Sequence, residues 1–207
     1  MAKNYVIGIT GGSGSGKTEF LNRILESFNE ENVCLLSQDN YYWPRQKQQF
    51  DENGYINFDL PETIDVESFE KHLSELKNGN PIEYEEYVFG NPPENARKVQ
   101  LIPAPVIMVE GIFAFHFPAI SDLIDLKLFI DADTELMLKR RLLRDQHERG
   151  YSEEEIIYRF ENHVIPACEK YILPYKKTAD MVIPNNNRFD EALKVVAAFI
   201  SEKIKHR

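Results

Sequence analysis

The chain has 207 residues, enough for one domain with an appended lobe to bury a real core and too few for two separate enzymes. Hydrophobic residues at 43% and charged residues at 28% sit near globular averages, which excludes wholesale disorder, collagen-like repeats and coiled coil. With 34 acids against 24 bases the net charge is −10, so the surface as a whole repels phosphate backbones and anionic lipid, and neither nucleic acid nor membrane is an expected partner.

The start "MAKNYVIGIT" has no apolar core of signal-peptide length, and no later run approaches a membrane span, so a cytoplasmic protein is expected. Its apolar part, "YVIGIT" (5–10), reads as a strand buried on both faces. It runs into "GGSGSGKT", where Gly11, Gly16, Lys17 and Thr18 satisfy G-x-x-x-x-G-K-[ST]. About one random chain of this size in a hundred would match, and a strand before with a helix after makes chance rarer. Across Gly11, Gly12, Ser13, Gly14, Ser15 and Gly16, bare backbone lets N–H groups converge on an anion, and a following helix N-terminus adds partial positive charge. Lys17 then reaches the β- and γ-phosphates, and the Thr18 hydroxyl goes to Mg²⁺. A plain Gly/Ser turn would need neither residue. The helix is "KTEFLNRILESF", with Phe20, Leu21, Ile24, Leu25 and Phe28 on one face.

The next apolar run, "NVCLLS" (32–37), leads to Asp39 at the carboxyl edge, where open α/β sheets bind ligands. Asp39 there can take a proton from a substrate hydroxyl, hold Mg²⁺, or merely shape an Asx turn, and the residue alone does not choose. Residues 41–105 then interrupt the rhythm. "IEYEEYVF" and "RKVQLI" around the turn-rich "GNPPENA" predict a strand pair outside the main sheet, a substrate-side lobe. "PVIMVEG" (105–111) is a third buried strand ending at Glu110, where a Walker B acid orients metal or its water, a stronger reading than a solvated strand-end carboxylate.

After the strand "LKLFID" (126–131) comes the one basic concentration in an acidic chain, "TELMLKRRLLRDQHERG" (134–150). Helical spacing puts Arg141 and Arg144 on one side and Leu138 and Leu142 on another. A solvated helix face competes with an arginine lid over a transferring phosphoryl group, and the lid is favoured. "DMVIP" (180–184), a turn at "NNN" and the amphipathic helix "FDEALKVVAAFISEKI" close the chain. Cys34 and Cys168 have no ligand or disulfide spacing and read as buried free thiols. Strands alternating with helices predict an α/β P-loop NTPase fold. One P-loop domain over residues 1–207 is expected, with a parallel sheet of about five strands, a β-hairpin substrate lobe at 41–105 and an arginine-bearing lid at 134–165, and the glycine motif alone does not separate a kinase from a motor, GTPase or ATPase.

Together "GGSGSGKT", "SQDNYY", "NFDLPE", "VEGIF", "RRLLRDQHERG" and "PYKKTADMVIP" resemble, in order, the segments of the uridine kinase family of the phosphoribulokinase and uridine kinase superfamily, from Val6 to Pro184. The resemblance implies phosphorylation of a nucleoside 5′-hydroxyl by ATP or GTP with Mg²⁺. Asp39 matches the general base, and Asp59 matches a ribose-hydroxyl contact, with Tyr42 of "SQDNYY" also on the substrate side. Arg141, Arg144 and Arg149 match the phosphate-binding lid, of which Arg144 and Arg149 with Lys17 would serve the transfer. Tyr84, Tyr87 and Arg97 are counterparts of a segment that recognises the pyrimidine, but no histidine stands between Tyr84 and Arg97. Tyr151 and Arg159 occupy positions where arginine and glutamine are common in the family. With Tyr84, Tyr87 and Phe89 offering stacking surface, relaxed base selection or another acceptor with vicinal hydroxyls is expected. A kinase of nicotinamide riboside, pantothenate or a sugar is the alternative. A P-loop regulatory ATPase comes behind it, and no guanine-selecting N-K-x-D is present. The expected partner is a small nucleoside-like molecule, and a homo-oligomer stays open.

Overall fold

The computed structural model describes residues 3–87 and 96–206. Along them run the strands β1 (Tyr5–Thr10), β2 (Val33–Ser37), β3 (Ile82–Glu85), β4 (Lys98–Leu101), β5 (Val106–Glu110), β6 (Leu126–Asp131) and β7 (Met181–Pro184). The helices are α1 (Lys17–Leu25), α2 (Val66–Lys77), α3 (Pro118–Ser121), α4 (Thr134–Arg149), α5 (Glu153–Arg159), α6 (Ile165–Ala167) and α7 (Asp190–Lys205). The five apolar runs of the sequence become one parallel sheet in the order β2-β5-β1-β6-β7.

Side chains of each strand alternate between two cores. Ile7, Ile9, Val106, Met108, Leu128 and Ile130 face α1 and α7, meeting Phe20, Ile24, Val196 and Ile200. Val6, Leu36, Ile107, Val109 and Phe129 face the other side, meeting Phe69, Leu73 and Leu76 of α2 with Phe113 and Phe160. Burial on both faces is why these strands read as unbroken apolar runs.

Residues 41–105 hold more than the expected strand pair. β3 and β4 do pair antiparallel, Ile82 opposite Leu101 and Tyr84 opposite Val99, outside the main sheet. Ahead of them, however, α2 packs on the sheet through Phe69, Leu73 and Leu76, its first turn capped by Asp65, whose carboxylate accepts from the Ser68 N–H at 3.1 Å. Phe89 and the turn-rich segment up to Asn95 lie outside the described residues.

From α5 the chain continues as one irregular helical rod: a π turn at Phe160–Val164, α6, then a second π turn at Cys168–Ile172. Pro166 sits between them, with no N–H to give and a ring that crowds the carbonyl four residues back, so the helix widens instead of stopping. Ile156, Phe160, Val164 and Ile172 bury the rod against the core. Cys34 and Cys168 are buried free thiols, as expected.

Candidate active site

The glycine loop leaves the carboxyl end of the central strand β1 and enters α1 at Gly16, whose φ of +95° suits glycine and whose Cβ, if present, would strike the Asn185 amide. Gly14 has φ +87°, and a Cβ there would lie 2.6 Å from the Met137 carbonyl oxygen. No side chain caps α1, so its first-turn N–H groups point at the loop with the helix dipole behind them. The loop is gripped from outside. Asn185 Nδ2 donates to Ser15 O at 2.8 Å, and Arg140 donates to Gly14 O, Ser15 O and Asn185 O at 3.3, 3.2 and 2.9 Å. Lys17, 8% exposed, donates from Nζ to Gly11 O and Gly12 O at 2.9 and 3.1 Å. Burial pulls its ammonium below the usual lysine range, opposed by the charges of Glu110 and Asp39.

Those two acids stand at neighbouring strand ends. Ser37 and Glu110 are register partners of β2 and β5, and Ser37 Oγ donates to Glu110 Oε1 at 2.6 Å while accepting from the Asp39 N–H at 3.2 Å. Burial and the charge of Asp39 push the Glu110 carboxyl up to about 6, against the pull of Lys17 and Ser37. Asp39 keeps solvent contact through the open mouth of the site, yet the surrounding protein also pushes it up, opposed by Lys17, Arg149 and Arg144. Among the described residues no three His, Cys, Asp or Glu gather into a metal cage. Mg²⁺ asks for less: one or two carboxylates, with water and phosphate oxygens completing its shell. Two crowded carboxyls, both pushed up, with Thr18 on the same cleft, fit such an ion.

The basic helix α4 turns charge inward. Met137, Arg141 and Asp145 are buried while Leu143 is 56% exposed. Asp145, 1% exposed, receives Arg144 Nε at 2.8 Å, Arg141 Nη2 at 3.3 Å and Arg149 Nε at 3.5 Å. Burial alone would raise its carboxyl, but the Arg144 hydrogen bond and the three guanidinium charges hold it below the usual carboxylate range. Arg141 also donates to Ser13 Oγ of the loop. Asp145 thus gathers three guanidinium groups beside the loop, with Asp39 and Asp59 also within their electrostatic reach.

A cleft of about 540 Å³ joins these groups. The loop, Thr18, Asp39 and Glu110 line it with Arg141, Arg144 and Arg149, and Tyr42, Phe58, Asp59, Tyr151, Arg159 and His163 complete the wall. Tyr42 is buried edge-on against Phe58 at 5.5 Å. Tyr84, Tyr87 and Arg97 are not brought to this lining. Strand alternation turns Tyr84 toward Tyr41 and His72 of α2, with ring centroids 6.3 and 6.4 Å away. Tyr87 packs behind Tyr42 at 5.6 Å, and Arg97 is exposed at the root of the hairpin, where its carbonyl accepts from the Glu86 N–H at 2.8 Å. Conversely, the structure adds Arg140, Asp145, Asn185 and His163. Asp145 was legible as an acid four residues from both Arg141 and Arg149, whereas Asn185 had no local signal beyond turn chemistry.

A parallel sheet with a glycine loop between its central strand and first helix, paired acids beside the lysine and arginines above them, defines a P-loop kinase. Within that class, the profile of the phosphoribulokinase / uridine kinase family matches residues 6–192, and the chain belongs to this family. It is 37% identical over 207 residues to a uridine kinase of Staphylococcus carnosus, covering the whole of both chains. It is 34% identical over 203 residues to uridine-cytidine kinase B of Dictyostelium discoideum, covering 98% of this chain and 84% of that one. In fold it is similar to D-glycerate 3-kinase from Cryptococcus neoformans, with a TM-score of 0.62 at 19% identity over 82% of this chain and 79% of the other. Among the described residues no helix is long and apolar enough to cross a membrane.

Proposed function

We propose that the protein transfers the γ-phosphoryl group of ATP to the 5′-hydroxyl of a nucleoside, uridine or cytidine first, with Mg²⁺ as the metal. The observation that carries this reading is that one cleft brings Asp39 under the influence of Lys17, Arg144 and Arg149, a carboxylate placed against the charges that a phosphoryl group in transfer requires. The uridine kinase names of full-length relatives support the nucleoside as acceptor.

The loop amides of Gly11, Gly12, Ser13, Gly14, Ser15 and Gly16 with Lys17 and Arg141 bind the phosphates, and Asn185 and Arg140 keep the loop's carbonyls turned away from them. Arg144 and Arg149 stabilise the charge that develops on the transferring group. Thr18 and Glu110 would hold Mg²⁺ with Asp39 beside them; when bound, the ion draws off phosphate charge. Asp39 accepts the proton of the attacking hydroxyl, a role for which an upward-shifted carboxyl is suited. Asp59 takes the ribose hydroxyls, and Tyr42 and Phe58 offer apolar surface. Residues 41–105 thus serve as the acceptor side and 134–165 as a lid.

The test is an acceptor panel with purified protein and Mg·ATP, repeated with GTP as donor. The expected result is ATP turnover that depends on added nucleoside and yields the 5′-monophosphate. Steady ATP hydrolysis indifferent to every nucleoside would place the protein among regulatory ATPases instead.

A further inference from the structure

With Tyr84 and Arg97 standing off the cleft, the acceptor wall needs another group to read a base, and a different element provides one. His163 lies in the first π turn, 4% exposed, on the cleft lining. Its Nε2 is 2.7 Å from Asp51 Oδ2. The same oxygen accepts from the Tyr158 hydroxyl at 2.9 Å, while Oδ1 accepts from the N–H groups of Asn53 at 2.9 Å and Tyr55 at 2.8 Å. Asn53 Nδ2 donates in turn to the Tyr158 hydroxyl at 2.7 Å. The carboxylate therefore has four partners, and a polar network satisfied in this way holds a single arrangement.

The chemistry of that network fixes the ring. Desolvation works against the Asp51 carboxylate, but the Tyr55 N–H, His163, Tyr158 and the Asn53 N–H outweigh it and hold the group at about 2. Ionised through the neutral range, Asp51 can only accept, so Nε2 of His163 carries the proton and donates; in the neutral ring Nδ1 is then an acceptor. Among the described residues Nδ1 has no protein partner. Nor is it one of the side-chain atoms sealed off without one, which are Asn4 Oδ1, Ser15 Oγ, Gln38 Nε2, Arg141 Nε and Asp145 Oδ2. It is therefore not sealed off, on a residue that lines the cleft. The loop that holds Asp51 also carries Asp59, and Arg159, one turn before His163, ties this loop to the helix by donating to Ile56 O at 2.8 Å and lying over the rings of Tyr55 and Tyr151 at 4.8 and 5.0 Å.

The geometry points to His163, oriented by Asp51, as the base-reading residue of the acceptor site: Nδ1 accepts a hydrogen bond from a ring N–H of the nucleobase, which a uracil-type imide presents. Asp51 is a positioning residue that acts through His163. The inference rests on the nucleoside kinase reading and narrows it to a preference for uridine over cytidine, whose ring nitrogen at that edge accepts instead of donating.

The experiment compares kcat/KM for uridine, 3-methyluridine and cytidine in the wild-type protein, in His163→Ala and in Asp51→Asn, with Mg·ATP affinity measured by calorimetry as the control for folding and the nucleotide side. In the wild type, methylating the ring nitrogen should cost about 10²-fold or more. In His163→Ala that ratio should collapse to within roughly threefold, because residue and N–H no longer couple. In Asp51→Asn the amide can donate to Nε2 and move the ring proton to Nδ1, so the uridine-to-cytidine ratio should fall by about tenfold or more. This variant is isosteric and decides the matter if His163→Ala fails to fold. A methylation penalty in His163→Ala equal to that of the wild type, or an unchanged uridine-to-cytidine ratio in Asp51→Asn, overturns the inference and leaves the kinase reading standing. A wild-type protein that binds Mg·ATP and phosphorylates no nucleoside overturns both.

Discussion

Lys17 and Asp39 bring opposite charges to one cleft, and substitution should separate their work. Lys17→Ala should lower turnover by on the order of 10²-fold or more while circular dichroism stays that of the wild type, because the proposed work of the lysine is on phosphate charge and its own bonds are only to loop carbonyls. Asp39→Asn keeps the shape of the turn that Ser37 caps, so calorimetric nucleotide binding should persist while the transfer rate falls by about 10²-fold or more for a lost base. If asparagine proves silent, Asp39 only shapes the turn. Glu110 gives a pH signature. Its carboxyl is pushed up to about 6, above the ordinary glutamate value, so the folded state holds this proton more tightly than the unfolded one. The stability it contributes is full below the ordinary value and is lost as pH rises through about 6, while activity should rise over the same window on the proposed reading that the ionised form holds Mg²⁺. Melting curves of nucleotide-free wild type and Glu110→Gln between about pH 4.5 and 7 should therefore diverge in favour of glutamine as pH rises; a constant difference would mean that Glu110 is not perturbed in this way. The loop was legible because its motif is local, and it does lie between β1 and α1 as the motif requires. His163 was not, because its partner Asp51 lies 112 positions away.

At the scale of elements, α4 reverses the usual assignment of charge to solvent and leucine to core. Its inner face is held by Asp145, and removing one partner of a buried ion cluster commonly costs about 3–5 kcal/mol. Asp145→Asn should lower the melting temperature of the nucleotide-free protein by several degrees, and Mg·ATP should restore more of that loss than it adds to the wild type, since phosphate supplies the missing negative charge. Equal stabilisation of both proteins by nucleotide would show that the arginines do not face the phosphates. The strands of the main sheet were readable because burial on both faces leaves unbroken apolar runs, and α4 because its charges and leucines share a helical period. α2 carries a helical period in Phe69, Leu73 and Leu76, but it lies in a segment whose turn residues dominate the local pattern. The widened rod after α5 could not be read, since Pro166 locally announces a break that Phe160, Val164 and Ile172 override by packing.

Across the whole molecule, the phosphate loop near the start of the chain is finished by the end of it. Asn185, just past β7, hydrogen-bonds Ser15 across 170 positions. α7 locks α1 through Phe189 against Phe20 at 5.3 Å and Asp190 to Arg23 at 2.6 Å. Asn185→Ala removes a buried bond worth about 1–3 kcal/mol, and it should weaken Mg·ATP binding several-fold while leaving KM for the acceptor unchanged. An unaltered nucleotide affinity would make Asn185 a mere turn residue, as the run of three asparagines first suggests. The two wide turns of the helical rod bear on a different property. Each takes up one residue more than a regular turn would, so a single deletion within Phe160–Val164 would restore a regular turn and leave Arg159 and α5 close to their present place, whereas a deletion inside a regular helix rotates everything beyond it by about 100°. β1, the glycine loop and α1 would not move. On the proposed reading, the wall opposite the phosphate loop can thus lose or gain one residue at a wide turn with little displacement of the side chains that flank it.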